Sequence, residues 1–336
     1  MPFRGHDGKQ LASYSDPLER FFELDAAFEA GRGFLGDRVP LRLVAANLVL
    51  CPGDPAEIAA SVRALTERMR EGLHWFSQLS SEIQLLAAAV TLQRGDEPEA
   101  LLEEVRRVRQ IMRDLGMRRD EVHEFVAILA MRIRGGLKPI EVDQVHRLFA
   151  IYAQMKRHHW FLTGPEDYPA CAFLTGQDRS PEDIAARANA IYEGLRARAN
   201  AWRGDPLQTA SNMLALSPLE PDELVDRFVT LAFAFDAAGI RIRQGEYDEV
   251  AVLCFLAQPS ERIVEAVVEY TSKIRDRVGW IYRSMAFGLA SNLAFVRLLG
   301  NDPELGALAD AKALLDMQTI IAARQAAAAG AAAGAG

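Results

Sequence analysis

Eight prolines recur along the chain at almost even intervals, each just inside what reads as the start of a helix. They are Pro17, Pro55, Pro98, Pro139, Pro181, Pro221, Pro259 and Pro303, spaced by 38, 43, 41, 42, 40, 38 and 44 residues. A period of about 40 residues is the mark of a repeat architecture, in which each unit buries its apolar face only against its neighbours. Proline fits the first helical position because its fixed φ suits the helix and its missing N–H would have no partner there.

The clearest unit begins at Ser180. Ser180-Pro181-Glu182-Asp183 combines a capping hydroxyl, an initiating proline and acids that complement the helix dipole. Behind it Ile184, Ala188, Ile191, Tyr192 and Leu195 recur at steps of three and four, which predicts one amphipathic helix. A polar break at Arg203-Gly204-Asp205-Pro206 leads to a second helix through Leu207, Ala210, Met213 and Leu214, closed by Leu216-Ser217-Pro218.

The other starts follow the same grammar: Asp16-Pro17, Asp54-Pro55, Glu97-Pro98, Lys138-Pro139, Glu220-Pro221, Gln258-Pro259 and Asp302-Pro303. The second helix of each pair is richer in alanine and apolar on more sides: 41–50, 82–92, 121–133, 167–175, 207–216, 247–256 and 285–298. The expected fold is all-α, with about seven helical hairpins forming a curved α-solenoid or a closed α/α toroid. Outer helices should be amphipathic and inner ones buried. A single α/α repeat domain is expected over residues 14–325, with a disordered N-terminus at 1–13. The Ala/Gly tail at 326–336 has no side chains with which to pack and is expected to be disordered.

Half of the residues are apolar and a quarter charged, enough for a large core. A net charge of −8 argues against nucleic-acid binding, which needs a surplus of cations on one face. Of the 38 basic residues only Lys9, Lys138, Lys156, Lys273 and Lys312 are lysines, a bias that reads as genomic base composition. Cys51, Cys171 and Cys254 lie far apart in apolar runs, which fits core thiols in a reducing compartment. With neither a signal peptide nor an uncharged apolar run of membrane-spanning length, a cytoplasmic protein with no membrane partner is expected. The four tryptophans, Trp75, Trp160, Trp202 and Trp280, fall near the junction of the two helices of a pair, where a large side chain would wedge one hairpin on the next or, as the alternative, offer a stacking surface to an aromatic ligand.

The densest chemistry lies at His158-His159-Trp160-Phe161-Leu162-Thr163-Gly164-Pro165-Glu166-Asp167-Tyr168. A metal would pair a histidine with Glu166 or Asp167, but the spacing matches neither HExxH nor paired ExxH helices, and no cofactor is expected. Thr163 as a cap, Gly164-Pro165 as a bend and acids in a first turn explain the same residues structurally. His74-Trp75, 85 residues earlier, echoes the motif in register and favours scaffold.

The inner helices carry Asn47, Ser211-Asn212 and Ser291-Asn292, which would tie helices together or face a cavity. Glu82, Asp120, Glu121, His123, Asp205, Gln208, Glu246 and Asp248 stand at inner-helix starts and would gather along one rim of a curved array. Such acids could serve as general acid and base, though helix N-termini prefer acids in any case. No phosphate-binding glycine loop, nucleophile elbow or DDxxD cluster occurs.

The candidate ligand-binding set is therefore His158, His159, Trp160, Thr163, Glu166, Asp167, Tyr168, Asp205, Gln208, Asn212, Glu246 and Asn292, with no catalytic residue assigned. A non-enzymatic module binding a protein or a small polar ligand is the leading expectation, and a hydrolase-like enzyme with an acidic, aromatic cavity the alternative.

The string Tyr152-x-x-Met155-Lys156-x-x-His159-x-Phe161-Leu162-Thr163-Gly164-x-Glu166-Asp167-Tyr168-Pro169, with the apolar run 170–174 behind it, resembles the bacterial family DUF4003. The resemblance implies a helical chain of this length from about residue 15 to 320. It brings no activity and no catalytic residues.

Overall fold

The computed structural model describes residues 16–31, 38–73, 79–158, 163–199, 201–278 and 283–299. These form fourteen α-helices and two 3₁₀ turns, with no strand among them. They fall into two compact units that divide between Ile140 and Glu141.

The first unit holds α1 (Pro17–Ala30), α2 (Arg38–Asn47), α3 (Pro55–Gly72), α4 (Ser81–Arg94), α5 (Pro98–Asp114) and α6 (Glu121–Arg134). The second holds α7 (Val142–His158), α8 (Tyr168–Leu174), α9 (Pro181–Arg198), α10 (Asp205–Leu214), α11 (Pro221–Ala237), α12 (Tyr247–Leu253), α13 (Ser260–Val278) and α14 (Arg283–Leu299). In the second unit α7, α9, α11 and α13 pack in succession as one layer, and α8, α10, α12 and α14 as another. Each hairpin joins the layers. In the first unit α1, α3 and α5 likewise follow one another, and α2 packs on α4.

Burial follows the composition. Every residue from Val122 to Ile133 in α6 is buried, and α10 is buried from Leu207 to Leu214 apart from half-buried Thr209. By contrast α5 buries a stripe and exposes Arg106, Gln110 and Arg113. An inner helix with neighbours on several sides must be apolar nearly all round, whereas an outer helix buries one face.

The proline grammar is visible at helix starts. Pro17, Pro55, Pro98, Pro181 and Pro221 each open a helix. Asp16 accepts from the Leu18 N–H at 3.1 Å, Asp54 from Ala56 and Glu57 at 2.9 and 3.2 Å, and Ser180 from Asp183 at 3.0 Å. Two prolines stand outside their helices. α13 begins at Ser260, with the Pro259 carbonyl taking the first N–H groups. α7 begins three residues after Pro139, because the Ile140 N–H is drawn to Glu104 on α5 and the Glu141 N–H to the Gln144 side chain at 2.8 Å, half of a capping box.

The two helices of a hairpin are laced together by arginines at a fixed register. Arg107, Arg147, Arg187 and Arg227, 40 residues apart, each reach from an outer helix to carbonyls just beyond an inner helix: Ile140; Thr175, Gln177 and Arg179; Ser217 and Leu219; and Cys254. Arg20 does the same to Cys51 and Gly53. The last carbonyls of a helix lack intrahelical partners, and a planar guanidinium satisfies several at once. The arginine bias, read above as base composition, has a structural use at these positions.

Cys171 and Cys254 are buried free thiols and Cys51 is half-buried. No helix among the described residues is long and apolar enough to cross a membrane. Trp75, Trp160 and Trp280, the expected helix from Pro303, and the proposed terminal tails lie outside the described residues. Trp202 is not a wedge, since 74% of it is exposed.

Candidate functional site

After α7 the chain bends at Thr163 and Gly164 into a 3₁₀ turn, Pro165–Asp167, which feeds α8. The turn closes on itself: one Asp167 carboxylate oxygen accepts from the Gly164 N–H at 3.3 Å. The same device recurs 79 residues later in the 3₁₀ turn Gln244–Glu246, where Glu246 accepts from the Arg243 N–H at 2.9 Å. In both, the next residue is a buried tyrosine set edge-on to an aromatic ring of the preceding outer helix: Tyr168 on Tyr152 at 4.9 Å and Tyr247 on Phe228 at 6.1 Å. A buried acid that caps its own turn, followed by an aromatic anchor, is thus a repeated element of this scaffold.

Asp167 also collects two donors from α10. Gln208 Nε2 donates to Oδ2 at 2.9 Å and Asn212 Nδ2 to Oδ1 at 3.3 Å. Gln208 also lies 3.4 Å from the Thr163 hydroxyl. The two amides stand four apart on one helix face, so both meet the same carboxylate. Burial pushes the Asp167 carboxyl up to about 7, and the neighbouring charges of Glu166 and Asp205 add to this, against the pull of Gln208 and of the Gly164 N–H.

On the other side of these amides lies a narrow pocket. His158 and half-buried Asn189 stand at its mouth, Met155, Ala185, Ala188 and Tyr192 line it, and Gln208, Ser211 and Asn212 form its floor. Its interior space of about 10 Å³ matches one water-sized group. Ser211 turns back to the Leu207 carbonyl of its own helix at 2.7 Å. The Gln208 Oε1 is buried and has no hydrogen-bond partner, so the floor retains an unused acceptor.

Of the residues expected at a site, Thr163, Glu166, Asp167, Tyr168, Asp205, Gln208 and Asn212 come together in this neighbourhood, with His158 at the pocket mouth. Tyr168 serves as a wholly buried anchor. Glu246 closes the second turn instead. Asn292 is buried on α14, and Asn47 bonds the Leu43 carbonyl of its own helix at 2.8 Å. His159 and Trp160 lie outside the described residues. Among the described residues no group of three or more His, Cys, Asp and Glu side chains is placed to hold a metal ion. In the first unit Arg109 pairs with Glu124 at 2.6 Å and Arg132 with Asp96 at 2.5 Å, and His123 lies beside Asp120 at 2.9 Å. Sequence reasoning missed Asn189 and Tyr192, whose place at the pocket depends on how α9 packs on α10.

A family model for DUF4003, described as a protein of unknown function, matches residues 57–326. The chain belongs to that family. An uncharacterized protein, YeaA, of Bacillus subtilis strain 168 is 24% identical over 267 residues, covering 79% of this chain and 78% of its own. No solved structure matches the chain.

Proposed function

We propose that the protein is a non-enzymatic binding module whose pocket above Asp167 admits one hydrogen-bond-donating group of a small polar ligand. The observation that carries this is the unpaired Gln208 Oε1 at the pocket floor. A buried acceptor without a donor costs roughly 1–3 kcal/mol, and an incoming hydroxyl or amine recovers it. Asn212 and Ser211 bound the same floor, and exposed His158 with Asn189 gives the rest of the ligand polar partners outside.

A thermal-shift screen of small polar metabolites tests this. A specific ligand raises the melting temperature with concentration, and Asn189→Leu, which narrows the mouth, removes that rise while leaving the unliganded protein folded. A flat response across the panel, or a rise indifferent to Asn189→Leu, rejects the pocket.

A hydrolase-like enzyme is the second reading, favoured by one observation: a carboxyl held near pH 7 with two acids beside it is what general acid–base chemistry uses. Against it, Asp167 is buried and both of its oxygens are occupied by donors. The layered succession of hairpins within each unit supports a curved α-solenoid or a closed α/α toroid as the fold proposal, and free thiols support a reducing, cytoplasmic setting.

A further inference from the structure

An open cleft of about 550 Å³ lies at the other acid-tyrosine turn, lined by Trp202, Arg241, Ile242, Arg243, Gln244, Gly245 and Tyr247. Its volume is in the range of small-molecule sites. Trp202 projects into solvent with 74% of its surface exposed, the largest such value among the apolar side chains described. Its backbone is nonetheless fixed, since the Trp202 N–H donates to the Tyr247 hydroxyl at 3.2 Å. That tyrosine is in turn held edge-on to Phe228.

The arginines bring a second, independent property. The turn uses the Arg243 N–H, which Glu246 accepts, and so turns the only acid of the turn inward: Glu246 is 1% exposed. No described carboxylate pairs with the exposed Arg243 guanidinium, which lines the cleft. In a chain of net charge −8, this is a place where cationic groups and a bare aromatic face share one concavity. Leaving a tryptophan in water forfeits the burial energy of its ring, which a stacked guest restores. The Arg243 guanidinium at the same cleft gives that guest's anionic group charge-assisted donors.

We propose that this cleft binds a planar aromatic anion, with the ring stacked on Trp202 and the anionic group held by Arg243. A nucleoside phosphate and an aromatic carboxylate share that chemistry. The site is separate from the pocket above Asp167 and stands without it.

Gly245 supplies a clean blocking position. Its φ is not in the left-handed region, and a Cβ built there meets nothing within 4 Å, so a larger side chain enters the cleft without disturbing the fold. The experiment titrates the full chain by calorimetry with AMP and, separately, 1-naphthoate; adenosine and inorganic phosphate serve as half-ligands. At least one of the two probes is expected to bind one-to-one, and to bind more weakly as salt rises. Trp202→Leu, Arg243→Gln and Gly245→Leu should each weaken it about tenfold or more, with melting temperatures unchanged because all three positions are exposed. Which probe binds separates the phosphate source from the carboxylate source, and the half-ligands should both bind worse than the whole. Failure of both probes overturns the proposal. So does binding that Trp202→Leu and Arg243→Gln leave unaltered, even where Gly245→Leu blocks it, because the ring and the charge would then play no part.

Discussion

Asp167 and Glu246 show how one backbone device acquires different chemistry from its surroundings. Both cap a 3₁₀ turn and both precede a buried tyrosine. Asp167 is met by Gln208 and Asn212, and its carboxyl is raised from the ordinary 3.8 to about 7. Because the folded value lies above the unfolded one, the folded state holds the proton over a range where the unfolded chain has lost it. The stability linked to this proton is therefore complete below pH 4 and disappears as pH rises through 7, a difference on the order of 4 kcal/mol. Asp167→Asn keeps a neutral group that the two amides can bond by turning over. Urea denaturation should find the variant more stable than the wild type at pH 8, with the gap closing toward pH 5. A gap that does not change with pH would show that Asp167 is ionised throughout.

Among elements, the arginine ladder and the proline caps are different kinds of signal. A cap is local: Ser180 reaches an N–H three residues on, so its sequence signature can be read by itself. Ser180→Ala should cost about 1 kcal/mol, measured by chemical denaturation. Arg187 reaches carbonyls 30 and 32 residues away, Ser217 and Leu219, and nothing in its own helix announces that role. Replacing it with methionine keeps the apolar stem and strips two charge-assisted bonds, which should cost about 3 kcal/mol. Arg196, paired at the surface with Glu193 three residues before it, is the contrast; Arg196→Met should stay within about 0.5 kcal/mol. The 40-residue recurrence of Arg107, Arg147, Arg187 and Arg227 was present in the sequence all along. It becomes meaningful only once the partners are known, because arginine is also the commonest way to decorate an exposed helix.

For the molecule as a whole, the helices divide at Ile140 and Glu141, beside Pro139, one of the two described repeat prolines that do not open their helices. Glu104, buried on α5, holds the Ile140 N–H there, and its carboxyl sits below the usual range: burial works against this, and Arg107 and the Ile140 N–H outweigh it. We propose that the hairpins nevertheless form one α/α repeat domain, as the unbroken period from Pro17 to Pro303 suggests. Differential scanning calorimetry should then record a single cooperative transition for the full chain. Two transitions, one shifted selectively by Arg187→Met, would mean that the units on either side of Glu141 unfold separately.

By itself the sequence determined the hairpin alphabet: where most of the described helices start (α7 and α13 begin just beyond their prolines), which are apolar all round, and in what order outer and inner helices alternate. Those properties are set by capping, helix periodicity and proline geometry, all of which act over a few residues. Tertiary structure decided which polar groups became neighbours. Asp167 meets Gln208 and Asn212 across separations of 41 and 45 residues, and Trp202 meets Tyr247 across 45. No local pattern encodes such meetings, since they depend on how far one hairpin turns upon the next. The same register that repeats the turn at Asp167 and Glu246 also places a polar pocket beside one and an arginine-lined cleft beside the other.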